Sequence, residues 1–287
     1  MPAVRRFDDP RAFADVADPF LMRDEARHNL ELGLSGRLAE QGSAANGDDA
    51  PYLAVAQSAR GVAGVAMRTP PFHLLVSVDD DAALDALASD VRRRFPTLSG
   101  VLSDAATARA FAAGWQELTG DRAEEGMPQR IYRLTTPPTV PDVPGMFREA
   151  THADRDLLVR WVEAFAAEAL PDSPHSDAGD GVDGSLRREG RALFLWEDGG
   201  PVSLAGFGGS TPNGSRVGPV YTPPYFRGRG YASACVATLS RRLLAEGNRF
   251  LFLFTDVGNP ASNHVYLKMG YEPVCDMQEI RFRREPG

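Results

Sequence analysis

The sequence predicts an α+β fold that occurs twice along the chain. Three observations lead there. A stretch with four prolines, at 135–145, divides the 287 residues into halves of similar length. Its prolines remove backbone donors and favour extended chain, so it reads as a linker. The order three strands, helix, strand, helix, strand can be read in both halves. In the second half the strands are joined by Gly-Gly and Pro-Asn-Gly turns, which mark antiparallel hairpins.

Bulk properties narrow the function classes. The chain is 43% hydrophobic and 24% charged, the profile of an ordinary globular protein. Its net charge of −8 argues against nucleic acid or an anionic membrane as a default partner, so any anion site must be local. Two cysteines, Cys235 and Cys275, form no CxxC pair, so neither a disulfide framework nor a metal site is expected. The N-terminal residues are broken by charges and prolines, so no signal peptide is expected there. No stretch has the apolar length of a membrane span. The expected address is cytoplasmic.

The elements of the second half follow in order. Residues 145–151 read as a strand and 152–170 as a helix, with Leu158, Trp161, Val162 and Phe165 at the spacing of one buried face. Residues 171–184 read as a mobile loop and 185–190 as a helical turn. Three strands follow at 191–198, 202–210 and 216–222. Next comes a helix with Ala232, Cys235, Val236, Leu239 and Leu243 inward. The run 249–256 is apolar enough for a strand buried on both sides. Residues 259–269 form a helix with Asn259 as N-cap and Pro260 at its first position, and 270–282 end as a strand. In the first half, a helix around 19–40 precedes strands at 51–57, 61–69 and 72–78. A helix at 81–95, a strand at 98–103, a helix at 104–118 and a strand at 129–135 complete the copy. Domains are expected at 1–136 and 146–287, with 137–145 between them.

The segment Arg227-Gly228-Arg229-Gly230-Tyr231-Ala232-Ser233 lies where a strand gives way to a helix. Free amides and the positive end of the macrodipole make a helix N-terminus attractive to phosphates. Glycines let the backbone approach the anion, and two arginines add local charge. No Gly-Lys-Ser/Thr closes the loop as in a P-loop, and the third glycine of a dinucleotide fingerprint is missing. Read alone, the loop is equally an exposed turn. On the later helix, Asn259, Ser262, Asn263 and Tyr266 share one face, while Ala261, Val265 and Met269 form a stripe for the core. The polar face either looks into a cleft or meets solvent, with Asn259 merely capping.

Taken together, these motifs resemble the GNAT N-acetyltransferase superfamily over roughly residues 146–283. Arg227, Gly230 and Ala232 match its Gln/Arg-x-x-Gly-x-Gly/Ala signature. Asn259, Ser262, Tyr266, Lys268, Gly270 and Tyr271 match its later pattern. The resemblance implies a mixed, mostly antiparallel twisted sheet flanked by helices, whose fourth and fifth strands splay to admit a pantetheine arm. It implies an N-acetyltransferase using acetyl-CoA, or another acyl-CoA, as co-substrate without a metal. The amides of Arg227, Gly228, Arg229, Gly230, Tyr231, Ala232 and Ser233 would hold the pyrophosphate. The backbone of Val220, Tyr221 and Thr222 would pair with pantetheine, the Val220 N–H polarising the thioester carbonyl. Asn259, Ser262, Asn263 and Lys268 would also contact CoA, and Tyr266 would be the general acid that protonates the departing thiolate. As a plainer alternative, Tyr266 is a half-buried core tyrosine.

The attacking amine must lose a proton, for which Glu163, Glu168, Glu197 and His175 are candidate bases; for each, an ordinary exposed side chain is the plainer reading. Four aspartates between 171 and 184 lack an EF-hand order but could favour cationic acceptors. In the first half the corresponding turn is Asp79-Asp80-Asp81, which stabilises a helix start and repels a pyrophosphate. That half is expected to be a degenerate copy without CoA. The leading function is acetyl transfer to a primary amine of a small molecule or peptide; the alternative is a non-catalytic acyl-CoA-binding regulatory module. Nothing in the sequence defines an oligomeric state.

Overall fold

The computed structural model describes residues 2–41, 50–170 and 177–284. The chain divides into two compact units, residues 1–130 with 275–287, and residues 131–274. This differs from the expected boundaries in two places. The last strand, expected in the second domain, belongs to the first unit. The proline-rich stretch belongs to the second: Val140 and Val143 pack against that unit's core, and Trp196 Nε1 donates to the Pro144 carbonyl at 2.8 Å.

The first unit contains β1 (Ala3–Arg6), α1 (Pro10–Leu21), α2 (Asn29–Gln41), β2 (Tyr52–Ser58), β3 (Gly61–Arg68), β4 (Leu74–Val78), α3 (Asp81–Arg94), β5 (Gly100–Asp104), α4 (Ala105–Thr119) and the start of β6 (Arg122–Leu134). The single helix expected at 19–40 is two helices. An Asp9 side chain accepting from the Arg11 amide, followed by Pro10, starts α1. A 3-10 turn at Met22–Asp24 follows it. Strand β2 alternates between two cores: Leu53 and Val55 face α1 and α2, whereas Ala54 and Ala56 face α3 and α4. Asp80 caps α3 by accepting from the Ala83 amide at 2.8 Å, and Asp79 pairs with Arg23.

The second unit contains β7 (Met146–Glu149), α5 (Arg155–Ala169), α6 (Ala178–Leu186), β8 (Ala192–Glu197), β9 (Pro201–Gly208), β10 (Gly214–Tyr221), α7 (Tyr231–Ala245), β11 (Phe250–Asp256) and α8 (Pro260–Lys268). The final strand, β12 (Glu272–Arg283), starts there and ends in the first unit, antiparallel to β5 with Ile280 opposite Val101. Helix α6 occupies much of the stretch expected as a loop, because Asp177 caps it through the amides of Gly179 and Asp180.

Strands β7, β8, β9 and β10 are antiparallel neighbours in chain order, and β11 lies parallel to β10. The fold is therefore mixed α/β, with mostly antiparallel strands flanked by helices. On one face α7 buries Ala234, Cys235, Val236, Leu239 and Leu243 against Phe194, Ala205 and Leu251. On the other, Leu158 of α5 and Val182 of α6 meet Leu193, Leu195 and Leu204.

Candidate active site

Two irregularities of β10 create the site. Against β11 it pairs only through Gly214 with Phe250, Ser215 with Leu251 and Arg216 with Phe252; β10 then continues to Tyr221 and β11 to Asp256 without further pairing. Against β9 the register slips between Val217 and Val220, a bulge at Gly218-Pro219. A bulge bends its strand and turns it away from a neighbour. The two parallel strands therefore part, as the fourth and fifth strands were expected to do.

Chain leaving β10 forms a short turn and then α7. Gly228 (φ +76°) and Gly230 (φ +84°) take left-handed conformations that side chains disfavour. Gly230 is the N-cap and supplies no side-chain acceptor. The first helical bond runs from the Ala234 amide to the Gly230 carbonyl, and among the described residues the amides of Gly228 to Ser233 have no protein acceptor. Those six groups stand at the positive end of α7, where a helix start favours an anion. The seventh, Arg227, is a correction: its amide bonds the Pro224 carbonyl at 3.3 Å.

The two arginines divide their tasks. Arg227 Nε donates to the Thr222 carbonyl at 2.8 Å, and its Nη2 reaches both Glu168 oxygens at 2.9 and 2.8 Å. Its side chain ties the loop to β10 and α5 and is spent. The Thr222 carbonyl, which was expected to meet pantetheine, already accepts one bond from Arg227. Arg229 lies 5.9 Å over the Phe226 ring and beside the Tyr231 hydroxyl, and has no carboxylate partner among the described residues. Tyr231 turns inward: its ring is buried and its hydroxyl donates to Asp198, which raises its pKa, so only its amide is left for an anion.

Helix α8 departs further from expectation. Asn263 is not turned to a cleft. Its Oδ1 accepts from Thr255 Oγ1 at 2.6 Å and the Tyr132 hydroxyl at 3.1 Å. Its Nδ2 donates to the carbonyls of Asp256, Val257 and Asn259. Asn263 is a latch between α8, β11 and the end of β6, with no hydrogen-bonding capacity left for CoA. Asn259 caps the helix through the Ser262 amide at 3.1 Å, as the plainer reading had it. Lys268 is exposed in the last turn. Ala261 is exposed rather than core-facing; no residue of α8 is fully buried, so its sequence pattern held little directional information.

Tyr266 is half-buried and packs edge-on to Tyr271, ring centroids 5.5 Å apart. Val220, Phe226 and Tyr266 all pack against one apolar cluster, so strand, loop and α8 converge on it. The Tyr266 hydroxyl has no hydrogen-bond partner among the described residues, and the protein around it pushes its pKa up to about 12. It is thus a protonated donor without an assigned acceptor.

Residues 156–271 match the model of the acetyltransferase (GNAT) family. The second unit carries a GNAT domain. The fold is similar over 98% of this chain and 99% of a Drosophila protein of known X-ray structure, at 13% identity and a TM-score of 0.67. A GCN5-related N-acetyltransferase from Sphaerobacter thermophilus is similar over 99% and 96%, at 17% identity and 0.59. A tandem GNAT protein from the clavulanic acid biosynthesis pathway, without AcCoA, is similar over 99% and 100%, at 12% identity and 0.59. At these identities the likeness shows the fold, two GNAT-like units in tandem. No curated protein matches the sequence.

Within the GNAT domain most of the acidic base candidates are committed elsewhere. Glu168 holds Arg227. Glu197 joins Asp154 on the guanidinium of Arg148, at 2.8 and 2.7 Å. Glu163 is exposed on α5, and His175 lies outside the described residues. Asp172 lies outside them as well, Asp177 caps α6 and Asp183 pairs with Arg155. Two of the four aspartates are therefore used locally rather than offered to a cation. No group of metal-ligating side chains is found among the described residues, nor any helix long and apolar enough to cross a membrane. Sequence reasoning missed Arg216, the last β10 residue paired to β11, and Val143, whose Cγ1 stands 3.0 Å from where a Gly230 Cβ would lie. A charged residue inside an apolar strand was the available signal for the first.

Proposed function

We propose that the GNAT domain is an acyl-CoA-dependent N-acyltransferase that moves an acetyl group from acetyl-CoA to a primary amine by direct transfer. One observation carries the proposal: β10 and β11 part beside a helix start whose amides from Gly228 to Ser233 have no protein acceptor. A diphosphate fits that helix start, with Arg229 as the cation of the same loop. An extended pantetheine arm fits the unpaired flank of β10 beyond Arg216, where it meets backbone as a neighbouring strand would. Asn263 and the side chain of Arg227 support this arrangement from behind and take no part in binding.

When bound, the thioester supplies the acyl group and a thiol leaving group. An N–C bond forms, the C–S bond breaks, the amine gives up a proton and the sulfur gains one. The chain's contribution is to hold donors where charge develops. A Val220 N–H fixed by the bulged strand stabilises negative charge on the carbonyl oxygen. Tyr266, with its pKa near 12, keeps its proton at neutral pH and gives it to the sulfur as the bond breaks.

Calorimetric titration with CoA, followed by thiol release from acetyl-CoA with an amine panel, tests the proposal. Tyr266→Phe is expected to keep the CoA affinity and to lower kcat by about 10²–10⁴-fold. Unchanged turnover removes the acid role. CoA binding without thiol release for any amine selects the non-catalytic acyl-CoA-binding module instead, and absence of CoA binding overturns both.

A further inference from the structure

The first unit holds a serine, a histidine and a glutamate in line. Strands β4 and β5 are parallel, with Leu74 opposite Val101, so the residues just before them, His73 and Ser99, come together. Strand β12 runs antiparallel to β5, with Glu279 opposite Leu102 and Arg281 opposite Gly100. The Phe282 amide donates to the Ser99 carbonyl at 3.1 Å, which pins that residue's backbone to β12.

Ser99 is exposed, and its Oγ lies 3.0 Å from His73 Nδ1. The other ring nitrogen, Nε2, lies 3.5 Å from Glu279 Oε1. A carboxylate only accepts, so it selects the tautomer with hydrogen on Nε2 and leaves Nδ1 to accept from the serine. The second contact is longer than a full hydrogen bond. Oε1 is nevertheless buried without a hydrogen-bond partner, its other polar neighbour being Arg281 Nε at 3.5 Å. A small turn of the imidazole satisfies it, and catalytic hydrogen bonds often tighten only when substrate is bound. Both side chains are seated over glycine. A Cβ at Gly100 would stand 2.8 Å from His73 Nδ1, and one at Gly126 would stand 3.1 Å from Glu279 Oε1. The side chains of His73 and Glu279 are only 16% and 21% exposed, so the fold holds them while the serine stands open. The Ser99 amide has no protein acceptor among the described residues.

We infer that the first unit carries a serine-dependent esterase site for small, unhindered carboxylic esters, independent of the acyltransferase reading above. Ser99 is the nucleophile, His73 its base, and Glu279 a positioning residue that orients the imidazole. Ser99 Oγ bonds to the acyl carbon as its proton passes to His73 Nδ1. The ester C–O bond breaks and the departing alkoxide takes that proton. Water then adds to the acyl carbon, His73 returns the water's proton to Ser99 Oγ, and the carboxylic acid leaves. The Ser99 amide is the donor available to the developing oxyanion. A surface serine suits a short acyl group, since a long chain would need an enclosed pocket.

Two assays on the full chain test this without CoA: hydrolysis of p-nitrophenyl acetate, and labelling by a fluorophosphonate with the modified residue located by peptide mass spectrometry. Ser99 is expected to carry the label, and Ser99→Ala to lose both the label and the hydrolysis. His73→Gln is expected to slow labelling by about 10²-fold or more. Glu279→Gln is expected to lower kcat roughly 10–100-fold with KM unchanged. Hydrolysis that survives Ser99→Ala, absence of label on Ser99, or a labelling rate that ignores His73→Gln overturns the inference; wild-type kcat in Glu279→Gln overturns the role of the glutamate. Ser99 lies outside the core, so the Ser99→Ala result stands whether or not the histidine variant folds, and melting temperatures report on that fold directly.

Discussion

Asn263→Ala separates a latch from a ligand. The side chain accepts two hydroxyls and donates toward three carbonyls. Its amide has only two hydrogens, so about four net bonds are at stake, each worth roughly 0.5–1.5 kcal/mol. Truncation also strands hydroxyls that have little access to water, since Tyr132 is 1% exposed and Thr255 6%. Leaving such groups unpaired costs about 1–3 kcal/mol apiece, although small rearrangements and entering water offset part of it. We expect a net loss of roughly 2–4 kcal/mol, or about 5–15 °C in Tm. Urea unfolding gives the free energy, and CoA titration well below the new transition gives affinity. Tyr132→Phe and the double variant complete a cycle in which the two losses overlap rather than add. A variant that keeps wild-type stability yet loses CoA affinity would show that Asn263 contacts the ligand and that the hydrogen bonds assigned to it are not its role.

Two further outcomes follow from the same geometry. Gly230→Ala places a Cβ 3.0 Å from Val143 at φ +84°, for which we expect about 1–3 kcal/mol of strain, read by urea unfolding, together with weaker CoA binding read by calorimetry. Stability in acid should report on Asp154, whose carboxyl is lowered to about 2, first by its hydrogen bond from Arg148. Its folded value lies below its unfolded one, so this stabilisation is present above about pH 4 and is lost as pH falls toward 2. The difference is about 2 kcal/mol, and urea unfolding of Asp154→Asn across that range should show a correspondingly flatter acid limb.

Features set by local chemistry were legible in the sequence. Arg-Gly-Arg-Gly read correctly as a helix entry because glycine tolerates φ > 0, and the Asp79-Asp80-Asp81 turn read correctly as a helix start. Asp9-Pro10 carried the signal for α1, which was missed by placing the helix around Pro19. What failed were partnerships between residues distant in sequence. Nothing near Arg227 announces Glu168, and nothing near Asn263 announces Tyr132. The wheel of α8 misled because a short helix without a fully buried residue has no clear inner side. Strand pairing was equally hidden: the alternation in 270–282 indicates a strand, but it does not reveal that β5 is its neighbour.

That last pairing affects how the protein is made. Chain synthesis runs from N- to C-terminus, yet the β5 ladder receives its partner only when residues 277–281 appear. The nascent N-terminal portion must wait, with an unpaired edge of the sort that invites aggregation, while the whole GNAT segment is translated. Cutting the gene at the proline stretch would give no pair of independent pieces: the leading fragment would keep that bare edge, and the trailing one would carry the end of β12 without its β5 partner.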